Sequence, residues 1–187
     1  PIVDDAFITK CKNTKAHIVF GPRSGGKTDE LSLAPNLPPG KLQSLLPIKV
    51  LSTETIRPDC SESLSYNGRT FESRCWREEL AISQEIMVDA HYHDQSPAVV
   101  RFGKTSYIAT LTCDAFLIEF FAQLANELNI DTIKLPKDMR IVYRGNLAYL
   151  FNYAGHAQTF PAKNIGTYLL GQAHMAPYDV AIIKLNH

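Results

Sequence analysis

One continuous stretch, residues 97–130, constrains the fold of this chain more than any other. Ala98–Phe102 and Ser106–Thr110 are short runs rich in β-branched and aromatic residues. The Gly103-Lys104 pair between them is typical of a turn, so the two runs predict adjacent strands.

A helix is predicted directly after the second strand. Asp114 precedes the run and is a candidate N-cap, because its carboxylate can accept hydrogen bonds from free N–H groups of the first turn. Two strands followed by a packed helix indicate an α/β layer. The apolar residues of the helix recur at helical spacing and form one stripe: Leu117, Phe120, Phe121, Leu124 and Leu128.

The composition of this 187-residue chain excludes several classes of function. Lys plus Arg and Asp plus Glu number 19 each, so no net positive field recruits nucleic acid or an acidic membrane surface. No apolar run approaches the roughly 18 residues that a membrane span needs. We therefore expect neither nucleic acid nor membrane as a partner.

The four cysteines form no C-x-x-C pair, which argues against a zinc ribbon or a redox motif. Reduced cysteines in a cytoplasmic protein are the expected state, and no cofactor or metal is predicted. The chain begins with Pro1 rather than Met, which suggests a fragment or a processed piece. The cysteines are Cys11, Cys60, Cys75 and Cys113.

The N-terminal part is predicted to alternate short elements with loops. An amphipathic helix covers Ile2 to Cys11, and Ala16–Phe20 is apolar enough for a strand buried on both faces of a parallel sheet. Prolines and glycines make Gly21–Gly40 an extended loop. The remaining predicted elements are a helical turn at Lys41–Leu46, a strand at Ile48–Leu51, a hairpin around Asn67-Gly68 and a strand at Glu85–Tyr92.

After residue 135 the pattern changes to short apolar runs separated by frequent turn residues, which predicts antiparallel β-structure. We therefore expect one domain at 1–135 and a second at 136–187. Because about fifty residues of sheet bury little surface on their own, the second should depend on a neighbour. Its predicted strands are Met139–Arg144, Leu147–Tyr153, Tyr168–Leu170 and Val180–Leu185.

Residues Gly21–Thr28 match the phosphate-binding pattern G-x-x-x-x-G-K-[ST] directly after a strand. A phosphate loop needs a following helix whose N-terminus faces the phosphate. Prolines at 35, 38 and 39 leave room for only one or two helical turns. A structural loop is the preferred interpretation, and a phosphotransferase or NTPase that uses Lys27 stays open as an alternative.

Two further groups of residues invite a chemical interpretation. His91, His93 and Asp94 lie close enough for a metal site, but no further ligand follows nearby, and an exposed strand end is the preferred interpretation. Trp76 with Glu78 and Glu79 suits either a sugar platform or an aromatic anchor at a subunit contact. No nucleophile elbow is present, and His17 is expected to be a hydrogen-bonded core residue.

Taken in order, several segments resemble the C-terminal portion of glycoside hydrolase family 42, the microbial β-galactosidases. Arg23–Glu30 is similar to the family's R-S-G-x-K-D-E stretch, and Trp76 with Glu79-Leu80 to its W-x-E-x-L segment. The later matches are Pro97–Val99, Gly103-Lys104 with Tyr107–Thr110, Leu135-Pro136 with Ile141–Arg144, Tyr149–Tyr153, Tyr168–Gly171 and Ala176–Val180. Thr105 departs from the family pattern, where a second glycine is usual.

The resemblance implies the fold class α/β, with an amidotransferase-like (flavodoxin/Rossmann-like) layered domain followed by a small antiparallel β domain. It also implies a non-catalytic role in a homotrimer, since the family's two catalytic glutamates lie in an N-terminal (β/α)8 barrel that this chain lacks. The implied parent reaction is the retaining hydrolysis of terminal β-D-galactosides.

We therefore expect no catalytic residue in this chain and an assembly role at the loop 21–40 and the Trp76 region. A stand-alone sugar-binding module remains the other alternative. The candidate subunit or domain interface consists of Arg23, Lys27, Asp29, Trp76 and Glu79.

Overall fold

The computed structural model describes residues 2–28, 30–161 and 165–186, and the chain divides into two compact units, 1–121 and 122–187. The first unit contains α1 (Asp5–Asn13), β1 (Ile18–Phe20), a 3₁₀ helix (Gly40–Ser44), β2 (Ile48–Thr55), β3 (Glu62–Tyr66), β4 (Arg69–Ile82), β5 (Met87–Tyr92), β6 (Pro97–Phe102), β7 (Thr105–Ile108) and β8 (Thr110–Thr112). Helix α2 (Asp114–Glu127) follows, and the boundary between the units falls within it.

Within the described part of the first unit, eight strands form one sheet in the order β1-β7-β6-β5-β3-β4-β2, with β8 paired to β4. Only β1 and β7 pair in parallel among these strands, and every other pair is antiparallel. The chain is mostly β-structure, and the predicted α/β amidotransferase-like layering is not confirmed. Short turns join β3 to β4, β5 to β6 and β6 to β7, and such turns impose antiparallel pairing, since a parallel crossover needs a dozen or more residues.

The predicted hairpins are present where the sequence placed the turns. Asn67 and Gly68 both have positive φ, 49° and 72°, which a two-residue hairpin turn requires, and they join β3 to β4. Gly103 lies in the turn from β6 to β7, which pair in register from Val99–Ile108 to Phe102–Thr105. Strand β1 pairs in parallel as predicted, but it is an edge strand, so Ile18 is only half-buried.

Helix α2 begins at Asp114 and packs on the sheet through aromatic contacts. The ring centroid of Phe116 lies 5.3 Å from that of Tyr66 and 5.6 Å from that of Phe71, both in edge-to-face geometry. Phe120 stacks beneath Phe116 at 5.8 Å. The helix therefore turns Phe116 and Phe120 toward the sheet.

The predicted apolar stripe of α2 was partly wrong. Phe120 and Leu124 are buried as expected, but Phe121 is 47% exposed and Leu128 is 44% exposed. Phe116, which the stripe omitted, is completely buried. Residues 116, 120 and 124 are spaced four apart, so they share one helix face, and the position of the sheet decides which of two overlapping faces is covered.

Helix α1 is held at both ends by polar contacts. The Asp4 carboxylate accepts a hydrogen bond from the Phe7 N–H at 2.6 Å and caps the first turn. Lys104 donates to the carbonyl oxygens of Lys12 (2.9 Å) and Thr14, which suits a cation at a helix C-terminus. The β6–β7 turn is thereby tied to α1, whose buried residues join a core cluster with the 3₁₀ helix and the sheet: Ile8, Cys11, Leu42, Leu46, Val100 and Tyr107.

The second unit is antiparallel β-structure, as the pattern after residue 135 predicts. Its strands are β9 (Met139–Arg144), β10 (Leu147–Asn152), β11 (Gln158–Thr159), β12 (Gly166–Leu170), β13 (His174–Met175) and β14 (Val180–Leu185). Four of the described strands form a sheet in the order β12-β14-β10-β9, and β11 pairs with β13. The buried Asn152 amide donates to the carbonyl oxygens of His156 and Ala176 at 3.0 and 2.7 Å, which joins the loops at one end of the unit.

Gly25 in the loop 21–40 lies very close to the backbone of Pro39. Its φ is +69°, and a Cβ there would lie 2.1 Å from the Pro39 carbonyl oxygen. We expect Gly25→Ala to lower the free energy of unfolding by about 2–3 kcal/mol in urea titrations, because left-handed strain and a backbone clash add.

Gly103→Ala is the matched control for Gly25→Ala. Gly103 has a φ of +55°, but no atom lies within 4 Å of the position of an added Cβ. Gly103→Ala should therefore lower the free energy of unfolding only by the cost of the left-handed conformation, about 1 kcal/mol. Equal losses for the two variants would contradict the close approach at Pro39.

Candidate functional site

A groove of about 690 Å³ lies between the loop 21–40 and strands β2 and β4. We call it the loop–sheet groove. The loop and the strands each contribute side chains to its walls, among them Arg23, Lys27 and Leu33 from the loop and Val50, Trp76 and Glu78 from the strands. The fold therefore brings the loop against β2 and against β4, which lies about fifty residues further along the sequence.

Glu78 is the polar centre of the groove wall and is only 2% exposed. Its Oε1 accepts hydrogen bonds from the backbone N–H of Arg23 at 2.8 Å and from the indole N–H of Trp76 at 3.1 Å. Its Oε2 accepts one from the Tyr107 hydroxyl at 2.7 Å. One carboxylate thus connects the loop, β4 and β7.

Arg23 and Trp76 form the outer part of the same arrangement. The guanidinium carbon of Arg23 lies 4.6 Å from the centroid of the Trp76 ring, a cation–π geometry worth roughly 0.5–1 kcal/mol at an exposed site. Arg23 has a φ of 63°, an unusual conformation for a residue with a Cβ. Because its N–H donates to Glu78, the buried carboxylate helps to hold Arg23 over the indole.

The other candidate interface residues take different positions. Lys27 is half-buried in the groove wall, and its backbone bridges to Ile2 and Leu33. Glu79 is exposed and accepts a hydrogen bond from the Ser52 hydroxyl at 2.8 Å. Asp29 lies outside the described residues. Arg23, Lys27 and Trp76 therefore share one groove, and their role as an interface stays a prediction.

Residues Gly21–Thr28 do not form a phosphate-binding loop of the expected kind. The Thr28 N–H donates to the Ser32 carbonyl oxygen at 2.9 Å, so the chain turns back on itself there. After Thr28, the described residues contain no helix before the 3₁₀ helix at Gly40–Ser44. Without a helix N-terminus aimed at the motif, nucleotide binding is unsupported.

Two of the three residues considered for a metal site, His93 and Asp94, belong to ion pairs. His93 pairs with Glu62, and Asp94 pairs with Arg77, whose guanidinium carbon also lies 4.3 Å from the Tyr92 ring centroid. In the ranges that the structure describes, no group of three or more His, Cys, Asp or Glu side chains is placed to hold a metal ion. The hydrogen bonds of Ser96 and Arg77 lower the pKa of Asp94 below its ordinary value.

His17 is half-buried with its Nε2 2.9 Å from the Ser106 hydroxyl, which confirms the hydrogen-bonded role expected for it. All four cysteines are free thiols. Across the described residues, the helices are too short or too polar to cross a membrane.

The hydrogen bond from Tyr107 to Glu78 could not be predicted from the sequence. Tyr107 is completely buried in β7, and burial followed by the charge of Glu78 raises its pKa well above the ordinary value. The hydroxyl therefore stays protonated and available as a donor. The only sequence signal was a tyrosine within an otherwise apolar and small-residue strand, where a buried hydroxyl must find a partner.

Two family models match this chain in succession. Residues 2–131 match the β-galactosidase trimerisation domain, and residues 138–185 match the β-galactosidase C-terminal domain. This chain belongs to glycoside hydrolase family 42. The resemblance found in the sequence is confirmed, and the chain corresponds to the C-terminal part of family members.

The family relatives are much longer than this chain. The chain is 31% identical over 182 residues to a β-galactosidase of Thermus thermophilus, which covers 97% of this chain and 28% of the relative. It is 24% identical over 174 residues to a β-galactosidase of Haloferax lucentense, and this match covers 89% of this chain and 26% of the relative. The chain therefore spans about a quarter of the length of the curated relatives it matches.

Solved structures of family 42 members share the fold. A β-galactosidase from the psychrophilic Marinomonas ef1 superposes with a TM-score of 0.89 at 24% identity, over 98% of this chain and 28% of that one. A β-galactosidase from Bacillus circulans superposes with a TM-score of 0.81 at 18% identity, over 99% of this chain and 32% of that one. At these identities the likeness concerns the fold alone.

The three hydrogen bonds to Glu78 predict different outcomes for two substitutions. Glu78→Met leaves three donors without their acceptor, among them the buried Tyr107 hydroxyl, and should lower the free energy of unfolding by about 2–4 kcal/mol. Glu78→Gln keeps one oxygen for Arg23 and Trp76 and should lose about 1 kcal/mol or less. Trp76 is the sole tryptophan, so its fluorescence in the native state reports whether the indole becomes more accessible to a quencher. Equal quenching in both variants and the wild type would contradict a role for Glu78 in holding Trp76.

The pKa shifts of the buried tyrosines predict loss of stability at alkaline pH. Burial raises the pKa values of Tyr107 and Tyr92, so their contribution is complete below the ordinary tyrosine pKa of about 10 and falls as pH rises above it. Each should add a slope of about 1.4 kcal/mol per pH unit. In urea titrations between about pH 9 and pH 11, the free energy of unfolding of Tyr107→Phe should fall less steeply with pH than that of the wild type. An unchanged slope would contradict the shift.

Proposed function

We propose that this chain is the non-catalytic assembly region of a β-galactosidase that hydrolyses terminal β-D-galactosides. The observation that carries the proposal is the ordered match of both domains over nearly the whole chain, at about a quarter of the relatives' length. In the family that the chain resembles, the catalytic glutamates lie in a preceding barrel. The chemistry would therefore belong to that barrel, and this chain would hold the subunits together.

We further propose the finer organisation of the parent enzyme. Residues 1–135 would act as the trimerisation-type domain and 136–187 as the small β domain of a cytoplasmic homotrimer. The amidotransferase-like α/β layering would belong to the complete trimerisation domain, of which this chain supplies the largely antiparallel part.

The loop–sheet groove is the part of the first domain that we propose as a subunit contact. Leu31 and Leu33 on its loop side are 66% and 77% exposed, next to the Arg23–Trp76 pair. Trp and Arg are enriched in binding hot spots, and the exposed leucines beside them can supply the surrounding contacts that exclude water. The loop is also held in a defined shape by Glu78, which lowers the entropic cost of association.

Neither alternative has a specific observation in its favour. Nucleotide binding lacks the helix that it requires. A stand-alone sugar platform would stack a sugar on the Trp76 indole, and the guanidinium of Arg23 already lies over one face of that ring.

Charge reversal tests the assembly role in the full-length parent. Arg23→Glu and Lys27→Glu change the sign of the groove's cationic side chains and should convert trimers into monomers in sedimentation velocity, because the partner surface then meets repulsion. Glu79→Lys tests the remaining charged candidate among the described residues in the same way. Hydrolysis of a galactoside is measured on the same samples.

Lys49→Glu is the matched control, since Lys49 is an exposed lysine of β2 that does not line the groove. It should leave the trimer intact. If the groove reversals left both the oligomer mass and the activity at the level of the control, the assembly role of the groove would be wrong.

A further inference from the structure

The four-stranded sheet of the second unit is apolar on both faces. Its inner face forms the core of the unit, where Ala148, Leu150, Ala181 and Ile183 are completely buried. An antiparallel sheet that packs on one side alone alternates these residues with polar ones on the other side. This sheet does not follow that pattern.

The strand register defines the outer face. Tyr149 lies opposite Val142 of β9 and opposite Ile182 of β14, and Ile182 lies opposite Leu170 of β12. Because directly paired residues share a face, these four side chains form one apolar row across all four strands. In the next row, Phe151 lies opposite Val180.

The apolar row is open at both of its edges. Val142 is 42% exposed and Leu170 is 54% exposed. A bulge between Tyr168 and Leu170 adds one residue to β12, so Leu169 is exposed as well. Exposed apolar side chains that are contiguous on one surface indicate an interaction site rather than scattered surface residues.

The charged residues on this face are all basic in the described strands. Arg140 lies opposite Phe151, and Arg144 and Lys184 both lie opposite Leu147. They border the apolar row on two sides. A partner that covers the row should therefore present an apolar centre with acidic residues around it.

We propose that this outer face is the docking surface for the part of the parent polypeptide that precedes residue 1. The inference rests on the proposed function, since it needs a parent enzyme. The chain spans only 28% of its Thermus relative, so most of such a parent lies outside this chain and is available to cover the face. A module of about fifty residues also gains stability when its second apolar face is buried.

The geometry of the aromatic residues favours a protein partner over a carbohydrate. The rings of Phe151 and Tyr153 stack on each other with centroids 5.8 Å apart and an angle of 12° between their planes. A ring that stacks on its neighbour has one face fewer to offer to a sugar. The experiments below distinguish the proposed partner from two others, a carbohydrate and a second copy of this chain.

Hydroxyl-radical footprinting compares the face in the 187-residue chain and in the full-length parent. Oxidation of Leu170 and Val142 should fall roughly fivefold in the parent, since the core of a protein interface is packed like a protein interior. Tyr178 is 74% exposed and lies outside the apolar row, so it serves as the control and should change little. Equal oxidation of the row in both proteins would overturn the proposal.

Photo-crosslinking in the parent identifies the occupant. Val142→p-benzoylphenylalanine should give a crosslink within one polypeptide, to residues that precede residue 1. A crosslink between two subunits would overturn the proposal in favour of a second copy. Protection of the row in the 187-residue chain by galacto-oligosaccharide would overturn it in favour of carbohydrate.

The oligomer mass of the parent separates the two hypotheses. A monomeric parent that still shows the internal crosslink would contradict the assembly role and leave the docking surface supported. A trimeric parent without protection of the row would contradict the docking surface alone.

Discussion

A carboxylate removed from water is costly unless hydrogen bonds replace its hydration, and Glu78 meets this condition with three donors from three segments. The N–H of Arg23 comes from the loop, the indole of Trp76 from β4 itself and the hydroxyl of Tyr107 from β7. The carboxylate therefore acts as a common acceptor that fixes the loop against the sheet. The shape of the loop–sheet groove depends on this contact, because both of its walls are attached to it.

The same loop is restrained from its other end. The close approach of Gly25 to the Pro39 carbonyl leaves no room for a side chain, and Leu42 at the following 3₁₀ helix is almost completely buried. A segment rich in proline and glycine thus has a defined course without regular secondary structure. Preorganisation of this kind suits the proposed subunit contact, in which Arg23, Leu31 and Leu33 would meet a partner.

Secondary structure was predictable where local rules decide it. The turn at Asn67-Gly68 and the strand Met139–Arg144 follow from residues close in sequence. The family motifs were also readable, because they depend on the order of residues and not on contacts. The predicted α/β layering was not confirmed, because it required long-range pairing that short apolar runs do not specify.

The sequence by itself determined the family, the hairpin turns and the antiparallel character of residues 139–185, because turn chemistry and period-2 patterning act over a few residues. Only the tertiary structure decided which faces are covered. In α2 it buried Phe116 and left Phe121 partly exposed. In β4 the buried residues are Phe71 and Ser73 in the first half of the strand and Glu78 and Leu80 in the second half. It also brought Arg23 to Trp76 and Tyr107 to Glu78. These outcomes depend on packing and hydrogen bonding between segments far apart in sequence, which no local pattern encodes.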